Sequence, residues 1–239
     1  MVDDPPRVAI VVGAGSSLGA AVVHRLAGRG FVIAMVDLRA SWCDTSLDAL
    51  GPTHPRPWAF GADVRYLHEA EAAVTRVAET LGPPAVVVNT QFPGRDDSPA
   101  SARKPGLRAP LLVSRAAGRY LADSGEGRVV NVAQTGRAHG HPAEGPAPRA
   151  EVHAVTTTLD EELGARGVSV NTVVAEVDCP GEPVAAGTSA LPECCAASVE
   201  ETADWVDYLV SEAGQHISGR VFASGEPVPQ SPPRPVAER

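Results

Sequence analysis

The chain has 239 residues, 44% of them hydrophobic, which suits one domain with a sizeable core or at most two small ones. Its 29 acidic and 20 basic residues leave a net charge of -9, and with no cluster of Lys and Arg to displace counterions a nucleic-acid partner is not expected. No apolar run reaches bilayer length, and the opening MVDDPPR is acidic and Pro-rich instead of basic and then apolar, so no membrane association is expected and the predicted location is cytoplasmic.

In chain order, a Val-rich strand at Val8 to Val12 leads into a helix from Ser17 to Arg29 and a second strand from Phe31 to Val36, a βαβ unit. Strands follow at Pro57 to Phe60, Ala85 to Val88, Arg128 to Val132, Val168 to Val174 and Arg220 to Ala223, and helical patterns at 66 to 81, 107 to 122, 149 to 166 and 199 to 213. Strands this apolar fit the middle of a sheet covered on both faces. The predicted fold class is α/β, a single Rossmann-type doubly wound parallel sheet of about seven strands. It spans residues 1 to 226, and the remainder, 227 to 239, is a tail too rich in Pro to continue a helix or strand.

The four cysteines, Cys43, Cys179, Cys194 and Cys195, match neither a disulfide framework nor a zinc site, so no metal is expected and free thiols are. Trp205 and Tyr208 stand at helical spacing and read as core or interface contacts. Where the first strand gives way to its helix, the segment VVGAGSSLGAAVVHRLAGRG places Gly13, Gly15 and Gly19 in a turn able to bring backbone amides to a pyrophosphate. Asp37 closes the second strand, where a carboxylate accepts from ribose hydroxyls and repels a 2′-phosphate, favouring NAD(H) over NADP(H).

The spacing of GAGSSLG resembles the glycine turn of the short-chain dehydrogenase/reductase family, with Ser17 in place of the middle glycine and Leu18 between it and Gly19. The likeness continues along nearly the whole chain. Asp63 and Val64 resemble the family's adenine-contacting pair, and Asn89 opens what in the family is an Asn-Asn-Ala-Gly turn. Here that turn reads Asn89-Thr90-Gln91-Phe92, and the Phe92 ring implies a displaced loop or a partly filled groove. The resemblance thus implies NAD(H), if any cofactor, held by Gly13, Gly15, Ser17, Leu18, Gly19, Asp37, Asp63, Val64 and Asn89.

The same resemblance implies a catalytic Asn, Ser, Tyr and Lys, and the matching positions hold Gly106, Gln134, Gly145 and Arg149. A phenol becomes a useful acid/base near neutrality only beside a cation, and Arg does not give up its proton at working pH. No shift of register restores the set, because the interval from Gln134 to Ala165 contains no Tyr, Lys or Ser, and Lys104 is the chain's only lysine. Ala175-Glu176 stands where the family has Pro-Gly after its sixth strand.

The helices at 107 to 122 and 149 to 166, which the resemblance assigns to subunit pairing, keep their apolar stripes, and HISGRVFASGE resembles the family's last strand. These features lead to the expectation of a catalytically degenerate homologue. It would act as a non-catalytic subunit, in a homo-oligomer or paired with an active paralogue. The alternative is a repurposed biosynthetic enzyme, performing a non-redox proton transfer, a cyclisation or an atypical NAD(P)-dependent reduction. Its candidate acid/base groups are His139 and His141, with Glu144 in the same loop.

Overall fold

The computed structural model describes residues 7 to 50, 56 to 90, 108 to 135, 149 to 176 and 193 to 229. Its elements run β1 (Val8–Val12), α1 (Ser17–Gly28), β2 (Val32–Asp37), a 3₁₀ turn (Ala40–Cys43), α2 (Asp44–Leu50), β3 (Trp58–Gly61), α3 (Leu67–Leu81) and β4 (Pro84–Thr90). They continue as α4 (Arg108–Asp123), β5 (Arg128–Thr135), α5 (Arg149–Gly164), β6 (Ser169–Glu176), α6 (Glu193–Val210), a second 3₁₀ turn (Glu212–Gly214) and β7 (Arg220–Ala223).

All seven strands are parallel, in the order β3-β2-β1-β4-β5-β6-β7. Alternation along each strand feeds two cores, because successive side chains leave a strand on opposite faces. Ala9, Val11, Ile33, Met35, Val86 and Val88 pack with α1 and α6 in one cluster, while Val8, Ile10, Val12, Ala34, Val36 and Val87 pack with α3, α4 and α5 in the other. A strand apolar at every position is thereby buried on both sides, which is why these runs are continuous in Val and Ile.

The helix expected at 199 to 213 instead spans Glu193–Val210 and gives way to the 3₁₀ turn, with the Ser211 N–H donating to the Asp207 carbonyl at 3.1 Å. The 3₁₀ turn at Ala40–Cys43 and α2 were not anticipated. Their signal was present: Cys43, Leu47 and Leu50 recur at the spacing of one helical face, and all three pack into the α1/α6 core. At the carboxyl end the Trp205 indole donates to the Glu226 carbonyl at 2.8 Å, and Val228 packs on the same core. Trp205 and Tyr208 are core residues, 2% and 6% exposed, with their rings edge to face.

The glycine turn is held by steric necessity. A Cβ on Gly19 would lie 2.3 Å from the Gly13 carbonyl oxygen, whereas one on Gly28 would meet nothing within 4 Å. Gly19→Ala is therefore expected to lose roughly 2–3 kcal/mol. Gly28→Ala is expected to stay within about 1 kcal/mol of the parent, shifted if at all toward greater stability. Urea denaturation of the two variants side by side checks both expectations.

Candidate functional site

Reversal of strand order between β1 and β4 opens a crevice at the carboxyl ends of these strands, where doubly wound sheets take their ligands. Gly13 turns the chain out of β1 at φ +76°, a conformation that costs glycine no clash, and its N–H donates to the Val36 carbonyl at 2.8 Å. Ser16 then caps α1: its hydroxyl accepts from the Gly19 N–H at 3.0 Å and donates to the Gly13 carbonyl at 2.8 Å. Ser17 is exposed in the first turn, while the Leu18 side chain is core.

Asp37 closes β2 with both carboxylate oxygens engaged by the chain's own backbone. Oδ2 accepts from the Gly15 N–H at 2.9 Å and Oδ1 from the Leu38 N–H at 2.8 Å. The Trp42 carbonyl oxygen lies 2.6 Å from the place a Gly15 Cβ would take. The resemblance implies a nicotinamide dinucleotide whose ribose this carboxylate would face; here it faces the chain's own amides, and the 3₁₀ turn lies against Gly15. Nearby, burial and the Asp37 and Asp44 carboxylates push the Cys43 thiol up to about 12, so this free cysteine is not a nucleophile at neutral pH.

Asp63 and Val64 serve the fold in different ways. Val64 joins the α3/α4/α5 core, and Asp63 is clamped by Arg65, whose Nε and Nη2 donate to its two oxygens at 2.7 and 2.6 Å. That guanidinium holds the Asp63 carboxyl below the usual carboxylate range. Asn89 is fully buried on β4, donating from Nδ2 to Asn131 Oδ1 at 2.8 Å, and Thr90 Oγ1 donates to the Val12 carbonyl at 2.8 Å. Among the described residues Asn89 Oδ1 and Asn131 Nδ2 find no partner.

At the chemical end, the sheet register sets Gln134 beside Ala175 and Thr135 beside Glu176. The position resembling the catalytic serine and the one resembling the Pro-Gly pair are thus neighbours across β5 and β6. Arg149 starts α5 and is exposed. Phe92, Lys104, Gly106, His139, His141, Glu144 and Gly145 lie outside the described residues, as do Cys179 and the stretch from 177 to 192.

The chain has three tyrosines, and all of them are described. Tyr120 and Tyr208 sit in the last turns of α4 and α6, at the amino-terminal edge of the sheet, because each helix runs back from the carboxyl ends of the strands. Tyr120 is further engaged by Arg119, whose Nη2 donates to its hydroxyl at 2.5 Å. Tyr66 precedes α3 at the carboxyl edge, but β3 and β5 are four strand spacings apart, about 19 Å at ~4.8 Å each. None of the three stands over the end of β5.

Seven parallel strands in this order, with a glycine turn opening the first helix and an acid closing the second strand, define a doubly wound Rossmann-type α/β protein. Comparison with known proteins makes the assignment specific: this chain belongs to the short-chain dehydrogenase/reductase family. The family model that matches is described as enoyl-(acyl carrier protein) reductase and covers residues 13–224. The (3R)-3-hydroxyacyl-CoA dehydrogenase of Canis lupus familiaris is 31% identical, over 89% of this chain and 92% of its own. D-threitol dehydrogenase of Mycolicibacterium smegmatis is 32% identical, over 70% of this chain and 68% of its own. A short-chain dehydrogenase/reductase from Serratia marcescens superposes with TM-score 0.68 over 92% of this chain and 97% of its own at 23% identity, which speaks to the fold.

The Asp63 clamp gives a signed pH dependence. Its folded value is depressed relative to an unfolded aspartate at about 3.9. The stabilisation it provides is therefore complete above that pH and disappears as pH falls through the folded value. Arg65→Ala should raise the Asp63 midpoint toward 3.9 in a carboxyl NMR titration, and the stability gap between parent and variant should be widest above about pH 4 and close on acidification.

Proposed function

We propose that this chain is a catalytically silent member of its family, acting as a subunit that pairs with an active paralogue through the α4 and α5 helices. The observation that carries the reading is the combined position of the chain's phenols and its composition beyond β5. No Tyr, Lys or Ser occurs from Gln134 to Ala165, and no tyrosine elsewhere in the chain is near enough to substitute. Hydride transfer to a carbonyl leaves an alkoxide that must be protonated. A positioned acid contributes roughly 10²- to 10⁴-fold, and no tyrosine of the chain stands over the end of β5 to supply one.

The pairing half of the reading rests on the outward surface of the two helices. Ala154, Thr157 and Thr158 of α5 form an exposed uncharged patch between the exposed Glu151 and Glu161, and on α4 Leu111, Leu112 and Ala116 are half-buried. Arg115 and Glu162 join the helices as a bidentate pair, Nε–Oε2 2.7 Å and Nη2–Oε1 2.6 Å, which fixes the platform more than it stabilises it because both partners are well exposed. Such a face suits close approach of a second pair of helices.

A second reading, a repurposed biosynthetic enzyme, draws support from relatives named as reductases: NovJ of Streptomyces niveus, 29% identical, and a putative ketoacyl reductase of Streptomyces coelicolor, 30% identical. His139 and His141 would carry its proton transfer. The two readings part in one experiment. Co-expression with a dehydrogenase paralogue from the same genome should yield a heteromer on size-exclusion chromatography, with altered partner activity, and Ala154→Arg should abolish it while leaving the thermal midpoint of the chain unchanged. A chain that runs alone and leaves the partner's activity unaltered contradicts the pairing; loss of turnover of an identified substrate in His139→Ala or His141→Ala favours the second reading.

A further inference from the structure

The residues between β2 and α2 bear on a separate property, cofactor uptake, which does not depend on subunit pairing. After Asp37 the chain folds back over the β1–α1 turn instead of away from it. The Ala62 N–H donates to the Asp37 carbonyl at 2.8 Å, and a Cβ on Gly61 would lie 3.3 Å from the Ala40 nitrogen, so the end of β3 supports this segment from one side. On the other side the Trp42 carbonyl oxygen and carbon would stand 2.6 and 2.9 Å from a Gly15 Cβ, and Asp37 Oδ2 3.0 Å from it.

The following residues hold the segment down. Cys43 has no solvent exposure, and the Ser46 hydroxyl, also buried, donates to the Ala14 carbonyl at 2.9 Å. The Arg39 guanidinium lies 5.7 Å from the centre of the Trp42 ring and covers it. Two turns of chain are therefore in direct van der Waals contact where a ligand would have to pass. A single ligand atom between two protein atoms needs them about 7 Å apart, twice a ~3.5 Å contact, and a ribose needs a whole ring in that place.

We infer that this chain does not take up a nicotinamide dinucleotide: its own residues Leu38 to Cys43 fill the ribose side of the crevice. The Asp37 carboxylate is turned inward onto the Gly15 and Leu38 amides, which holds this segment against the turn. Gly15 is glycine so that the Trp42 carbonyl can approach, and the fingerprint turn is a joint between β1, α1 and the 3₁₀ segment. Gly13 and Gly19 are likewise required by packing: a Cβ on Gly13 would lie 2.4 Å from the Thr90 carbonyl oxygen, and one on Gly19 2.3 Å from that of Gly13.

The test uses the full chain. Isothermal titration with NAD⁺, NADH, NADP⁺ and NADPH to millimolar concentration should show no saturable heat, and none of the four should raise the melting temperature. Gly15→Ala should lower that temperature by roughly 4–8 °C, because the methyl group meets a backbone carbonyl. Asp37→Ala, which removes the acceptor for two amides without adding bulk, should also melt earlier and titrate as flatly as the parent. Saturable binding of any dinucleotide by the parent, weakened in Asp37→Ala, overturns the inference, and so does a Gly15→Ala variant that melts with the parent.

Discussion

The hydrogen bond from the Gly15 amide to the Asp37 carboxylate joins the end of one strand to the turn that follows its neighbour, and the described segment from Asp37 to Leu50 is arranged around it. It draws the last residue of β2 over the first turn of α1, and the 3₁₀ segment that follows can pack there only because position 15 has no side chain. With that contact made, Cys43, Leu47 and Leu50 reach the core shared by α1 and α6, and Ser46 reaches the Ala14 carbonyl. One acid and one missing methyl group thereby hold the β1–α1 turn, the end of β2 and the 3₁₀ segment together.

The architecture was legible because it is written in burial. Runs such as AVVV in β4 and VAIVV in β1 are apolar at successive positions, as a strand covered on both faces requires, and each lies within a strand of the structure. The glycine turn was equally plain, since Gly13 and Gly19 are fixed by local approach distances that recur wherever a strand enters a helix this closely. Less visible was the region after Asp37. The face formed by Cys43, Leu47 and Leu50 is only two turns long, and Gly15 reads the same in the sequence whether a phosphate or a carbonyl lies against it. Asp63 illustrates the same limit, because a carboxylate two residues from an arginine gives no sign in sequence that the two close on each other.

Family membership and the proposed loss of family chemistry rest on different features of this chain. Strand order, the α1 cap and the two-sided core are those of a short-chain dehydrogenase/reductase, and its relatives are named as dehydrogenases and reductases. Those features are demanded by folding, so they outlast any particular reaction. A proton-relay tyrosine and its lysine stabilise nothing in the sheet, and here the positions that resemble them carry glycine and arginine. The proposed loss of chemistry and the filled crevice point the same way while resting on different residues, one set beyond β5 and the other beyond β2.

Amide hydrogen exchange over residues 13 to 19 probes the joint most directly. An amide bound to an internal carboxylate under the Trp42 carbonyl should exchange slowly in the cofactor-free chain, and added NADH should leave its rate unchanged. Fast exchange at Gly15 in the free chain, slowed on addition of NADH, would mean that the turn still cradles a nucleotide and that the account of the crevice is wrong.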